Sequence, residues 1–206
     1  MSPVRRRGGW LALLVLLLAA CASSRTRLET SWRSPEATQH DLESVLVLAT
    51  MPDAATGRRL EDGLAARLLH GRAAHTVVRD EERADEEQLK RAVERCGADG
   101  LVVVRLVGRE QRQRWVPGDL SIQGAGPYGY RRYRGPFVPH DPGYLRVDEV
   151  YQLEVNVYEV RGEELLWSGL TSTVSPSSMG QLIDEQLDLI ETTLVGQGVL
   201  PAAATN

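Results

Sequence analysis

The sequence predicts an α/β (α+β) domain: a mixed sheet of about five strands with three helices, in the order β-α-β-α-β-(long loop)-β-β-α. Three observations lead there. Val45-Leu46-Val47-Leu48-Ala49 and Leu101-Val102-Val103-Val104 are short continuous apolar runs, the pattern of strands covered on both faces. Between them lie two segments whose apolar residues recur at helical spacing, so the strands are joined by right-handed crossovers and are at least partly parallel. Beyond residue 146 the period changes to two and then back to helical, which adds an antiparallel hairpin and a last helix.

Taken in order, the chain opens with Arg5-Arg6-Arg7, an uncharged stretch from Trp10 to Ala20, and small residues before a cysteine. These are the three parts of an export signal. The apolar part is about 11 residues, against roughly 20 for a helix that crosses a bilayer. An ordinary cleaved signal and an uncleaved anchor are the simpler alternatives. Leu18-Ala19-Ala20-Cys21 resembles the lipobox of bacterial lipoproteins, in which a leucine-like residue stands three before the cysteine with small residues between. The resemblance implies that Leu18, Ala19 and Ala20 are read by the signal peptidase, and that the Cys21 sulfur takes a diacylglyceryl group. Cleavage before Cys21 and acylation of its new amino group would then leave a membrane-held protein. Residues 1–20 would be the signal peptide, 21–40 a lipidated anchor and polar tether, 41–200 the domain and 201–206 a tail.

Cleavage would remove three of the 24 basic residues and no acidic ones, leaving 21 basic against 28 acidic, a formal charge of −7. Such a balance argues against nucleic acid as a partner. With Cys21 spent on the anchor, Cys96 has no partner for an intramolecular disulfide, and it reads as a buried thiol at a helix end. Within the tether, Thr30-Ser31-Trp32 reads as an N-terminal edge segment packed on the domain, because a tryptophan is costly to leave in water; an exposed anchor for a partner is the alternative.

The domain proper opens at Val45 and turns at Met51-Pro52-Asp53. Leu60, Leu64 and Leu68 at spacing four predict an amphipathic helix stopped by Gly71. Ala74 to Val78 reads as a second strand. The acidic stretch Arg79 to Glu87 lacks the glycine turn and alternating spacing of a calcium loop, so it reads as a solvated loop feeding a helix. Leu89, Val93 and Cys96 mark the inner face of that helix, Gly97 its C′ residue, and Gly97-Ala98-Asp99-Gly100 the turn into the next strand.

From Arg109 to Arg146 the composition changes to glycine, proline, tyrosine and arginine, and no period survives. The segment reads as a long loop. Tyr128, Tyr130, Arg131, Arg132, Tyr133, Arg134 and Phe137 form a locally basic, aromatic cluster within it. Two readings stand for it: a recognition surface for an anionic envelope partner, and an insertion without function. Leu153, Val155 and Val157 then alternate with polar residues in a strand from Asp148 to Val160, Arg161-Gly162-Glu163-Glu164 turns, and residues 165–174 return. Ser177 or Ser178 caps a helix with Met179, Leu182, Ile183, Leu187, Ile190 and Leu194 as its apolar stripe. Asp184, Glu185, Asp188 and Glu191 are its solvated face.

Catalytic signatures are missing from the sequence. There is no phosphate loop, nucleophile elbow or zinc spacing, and His40, His70, His75 and His140 are scattered, with His70 and His75 the one pair able to approach across a turn. The expectation is a protein that is not an enzyme and needs no cofactor. The element order is similar to that of envelope lipoproteins such as activators of penicillin-binding proteins and the curli secretion lipoprotein. More locally, Thr30-Ser31-Trp32, Val45-Leu46-Val47, Arg59-Leu60-Glu61-Asp62, Gly97-Ala98-Asp99-Gly100 and Leu166-Trp167-Ser168-Gly169 resemble an uncharacterised family of proteobacterial lipoproteins, to which no activity is assigned.

Together these readings predict a membrane-anchored envelope lipoprotein that binds or scaffolds other envelope components, with the bilayer held through Cys21 and a protein or cell-wall partner. Ala22 follows the cysteine in place of the aspartate that retains enteric lipoproteins in the inner membrane, which implies the periplasmic face of the outer membrane in a Gram-negative source. A ligand-binding module with its pocket between the sheet and residues 115–146 is the alternative, and a cell-wall hydrolase a more distant one.

Overall fold

The computed structural model describes residues 26–37, 42–117 and 143–201. Within them the chain forms strand β1 (Thr26–Arg33), β2 (Val45–Thr50), helix α1 (Ala54–Ala65), β3 (Arg72–Ala73), α2 (Glu86–Cys96), β4 (Gly100–Val116), β5 (Tyr144–Glu159), β6 (Glu164–Val174) and α3 (Met179–Gly196). The strands make one sheet in the order β1-β6-β5-β4-β2-β3. β2 runs parallel to β3 and β4, and β4, β5, β6 and β1 are antiparallel neighbours, so the sheet is mixed as the sequence predicts.

Val45, Val47 and Ala49 face α1 and α3 together with Val102, Val104, Leu153, Val155, Val157 and Trp167; Leu46 and Leu48 face the other way, onto Ala92 and Val93 of α2. A strand covered on both sides has no polar face, which is why β2 reads as an unbroken apolar run. Each helix start is fixed by a side chain that accepts from an otherwise unpaired amide: Asp53 from Thr56 N, Asp85 from Gln88 N, and Ser178 from Gln181 N. Gly97, at φ 64°, ends α2 in the left-handed conformation that a C′ glycine adopts without strain.

Four expectations need correction. First, residues 26–33 are not tether but edge strand β1, paired from Thr26↔Thr173 to Arg33↔Trp167. Its burial pattern is mostly exposed, so no alternation betrayed it. Second, Ala74–Thr76 is a 3-10 turn, and the parallel strand is only Arg72–Ala73; Val77 and Val78 follow the turn. Third, the irregular segment does not span 109–146: β4 continues to Val116 and β5 already begins at Tyr144, in register through Arg114↔Arg146 and Val116↔Tyr144. A two-stranded ribbon beyond the sheet is wet on both faces, so the alternation that marks a strand is absent from its sequence. Fourth, Leu68 is buried but lies past the end of α1, where Gly71 packs so closely on Ala65 that a Cβ would stand 2.9 Å from its carbonyl carbon.

Candidate functional site

The two faces of the sheet are covered unequally. α1 and α3 cover one face, whereas α2 packs only over β2 and the first residues of β4 on the other. Among the described residues that leaves an open face across β4, β5, β6 and β1. On it, a groove of about 430 Å³ is lined by Thr30, Trp32, Arg105, Val107, Glu154, Ser168 and Leu170, among others. The register explains the grouping: Trp32 stands beside Ser168, Ser168 beside Asn156, and Thr30, Leu170, Glu154 and Arg105 share the neighbouring rung. Trp32 is 51% exposed. The expected edge segment is therefore present, but its ring is offered to solvent and not sheltered.

Arg105 donates to Glu154 at 2.5 Å, and Ser172 Oγ donates to Glu29 at 2.5 Å. Glu29 sits below the ordinary carboxylate range through its bonds from Ser172 and Arg27. An indole face, a guanidinium–carboxylate pair and hydroxyls can hold a ligand by stacking and hydrogen bonding. The lining contains neither histidine nor cysteine.

A second polar cluster lies on the opposite side of the molecule from Trp32's rung, where α1 meets β2. Glu61 is fully buried. Its carboxylate accepts from Ala49 N at 2.9 Å, His75 N at 2.8 Å, His75 Nδ1 at 2.9 Å, and Arg83 Nη1 and Nη2 at 2.8 and 3.2 Å. Burial pushes the carboxyl up, but the guanidinium, both amides and the ring outweigh it and hold it below the ordinary range. The cluster fastens α1, β2 and the turns after β3 together. Sequence reasoning does not single out Glu61, yet a signal was there: it shares the buried stripe Gly57, Leu60, Glu61, Leu64 and Ala65, where a carboxylate must be paired.

Arg83 and Arg58 also line a cavity of about 220 Å³ at the carboxyl end of β2. Each arginine there already faces a carboxylate: Arg58 reaches Asp80 at 3.5 Å, and Arg83 holds Glu61.

The remaining predicted residues are scattered. Leu18, Ala19, Ala20 and Cys21 lie outside the described residues, as do Tyr128, Tyr130, Arg131, Arg132, Tyr133, Arg134 and Phe137. His70 and His75 are engaged separately, His70 Nδ1 with the Glu43 carbonyl at 3.1 Å. Cys96 is half-buried at the end of α2, its thiol donating to the Ala92 carbonyl at 3.0 Å. Asp184, Asp188 and Glu191 do lie on a polar face of α3, but they face α1, where Arg59 and Arg67 reach them at 3.2 Å or less. In the Gly97–Gly100 turn, Asp99 accepts from the amides of Glu43 and Ser44, both at 2.9 Å, and so fixes the entry to β2. Among the described residues no three His, Cys, Asp or Glu side chains are grouped to hold a metal ion, and no helix is long and apolar enough to cross a membrane.

Fold and surface define a class: an α+β domain whose mixed sheet is layered by helices on one face and left largely open on the other. No family model matches the chain, and no curated protein does. Among solved structures it is similar to PelC from Paraburkholderia phytofirmans, described as a dodecamer. A single-substitution variant of PelC is 12% identical, with a TM-score of 0.43, covering 86% of this chain and 97% of that one. A second crystal form is 10% identical, with a TM-score of 0.42, covering 85% and 98%.

Proposed function

We propose that this protein is a non-enzymatic envelope lipoprotein, held in the membrane through acylated Cys21, whose α/β domain binds or scaffolds other components of the cell envelope. The outer membrane, periplasmic face, follows from Ala22 after the cysteine if the source is Gram-negative. The observation that carries the binding half is the open sheet face with Trp32 half-exposed beside the Arg105–Glu154 pair. A buried tryptophan would be core; one displayed on an uncovered sheet beside a partly exposed guanidinium–carboxylate pair is the composition of a recognition surface. The reading extends to the basic aromatic segment around Tyr128 to Phe137 only by sequence.

A photo-crosslinking residue placed at Trp32 tests this in intact cells. The expected product is a discrete crosslinked species that is lost when Arg105 and Glu154 are both replaced by alanine. Crosslinking no different from that of a probe at exposed Glu87, on α2, would refute the binding surface.

A further inference from the structure

The proposed anchor and the longest ribbon of the sheet leave the domain at the same end. Thr26, the first residue of β1, is in register with Thr173, Thr173 with Tyr151, and Tyr151 with Arg109. From that rung β1 runs inward to Arg33, while β4 runs outward to Val116 and β5 comes back in from Tyr144. Arg109 to Trp115 is six residues, about 20 Å of strand. Cys21 to Thr26 is five residues, which span at most about 18 Å. The two reaches match, so acyl chains on Cys21 would hold this end of the sheet near enough to a bilayer for the outer described rungs of the ribbon to meet it.

The tip has the chemistry for that meeting. Trp115 and Leu145 form one rung and Val116 and Tyr144 the next; Trp115, Leu145 and Tyr144 are each more than half exposed. Arg114 and Arg146 form the rung behind, and no acidic residue falls in 114–116 or 144–146. Asp148, the nearest carboxylate on that face, accepts from Ser175 Oγ at 3.0 Å and Arg146 Nε at 2.7 Å and lies 3.9 Å from Arg114, so both arginines share one carboxylate and keep their other N–H groups for a second anion. The ribbon root is stiff: Glu149 takes bonds from Tyr151 and Arg109, and its carbonyl accepts from Ser175 N.

We infer that the outermost described rungs of the β4–β5 ribbon are a second membrane-contact point, with Trp115, Tyr144 and Leu145 seated in the headgroup region of the bilayer that holds Cys21, and Arg114 and Arg146 on lipid phosphates. The inference rests on the lipoprotein reading above. Aromatic rings with a polar edge favour that depth, and arginines near it gain from anionic lipid. Among the described residues no strand pairs with the outer edge of β4 beyond Arg105 or with that of β5 before Glu149, and backbone N–H and C=O groups on such edges cannot enter hydrocarbon unpaired. Contact is therefore shallow. It sets the domain upright and keeps the Trp32 rung, six residues back along β1, about 20 Å further from the bilayer.

Tryptophan emission tests this directly. Of the chain's four tryptophans, Trp10 would leave with the signal, Trp167 is buried, and Trp32 is at the far end of β1. The acylated protein is reconstituted in phosphatidylethanolamine–phosphatidylglycerol vesicles in which part of the lipid carries brominated acyl chains. The expected result is quenching that Trp115→Phe abolishes and Trp32→Phe leaves unchanged. Replacing Arg114 and Arg146 together by glutamine should weaken it when phosphatidylglycerol is present. Intact mass reports Cys21 in the same sample. Acylated Cys21 with unquenched Trp115, whether the tip is in water or against a second copy of the chain, overturns the contact and leaves the lipoprotein reading standing. An unmodified Cys21 overturns both.

Discussion

Replacing Glu61 by glutamine should be among the most damaging conservative changes in the chain. The side chain keeps its shape, but one carboxylate oxygen becomes an NH₂ group. Oε1 receives Ala49 N and Arg83 Nη1; Oε2 receives His75 N, His75 Nδ1 and Arg83 Nη2. Whichever oxygen is lost, at least two donors meet a donor. Each buried donor left unpaired costs about 1–3 kcal/mol, and breaking a buried ion pair by removing one member costs about 3–5 kcal/mol. The expected loss is about 3–5 kcal/mol, read as a lower urea midpoint at unchanged slope. The pH dependence has a definite sign. Glu61 is held below its ordinary value in the folded state, so its contribution is complete above the unfolded carboxylate range and fades as pH falls through the folded value. Wild type and variant should therefore converge in stability on acidification below the ordinary carboxylate range. A loss under about 1 kcal/mol at neutral pH, or additive effects in a cycle with Arg83→Met, would refute the pairing as the source of stability.

Two smaller perturbations address the sheet and a helix start. A Cβ on Gly169 would overlap the ring of Trp167, which is 1% exposed and fixed by its Nε1 donating to Gln197 at 2.8 Å. Gly169→Ala should cost about 1–3 kcal/mol by calorimetry, with a shift in near-ultraviolet dichroism; an unchanged melting temperature would show that the ring can move. Asp85→Ala removes the cap on Gln88 N and should cost about 1 kcal/mol, whereas Asp85→Asn should be nearly neutral in the same unfolding measurement.

How much was legible in advance varied with local environment. The buried strands, all three helices and the cap at Ser178 follow from local sequence patterns, whereas the cap at Asp53 was read only as a turn. β1 and the outer parts of β4 and β5 do not, because an edge or a projecting ribbon lacks a dry face and carries no period. The candidate surface was half legible. Trp32 was conspicuous, but its rung with Ser168, Asn156 and Val103, and the next one carrying Arg105, join residues from four strands and needed the register.

By itself the sequence determined the class of fold and the positions of the helices, and it carries the resemblance to an export signal and lipobox ending at Cys21, since each depends on side chains a few residues apart. Tertiary structure alone decided which sheet face stays open, which carboxylate is buried, and that the ribbon and the start of β1 leave the sheet together. Those depend on contacts between residues far apart in the chain: Thr26 meets Thr173, and Glu61 is closed over by Arg83 from another turn. Local patterning sets what an element is. Only the pairing of elements sets what it faces.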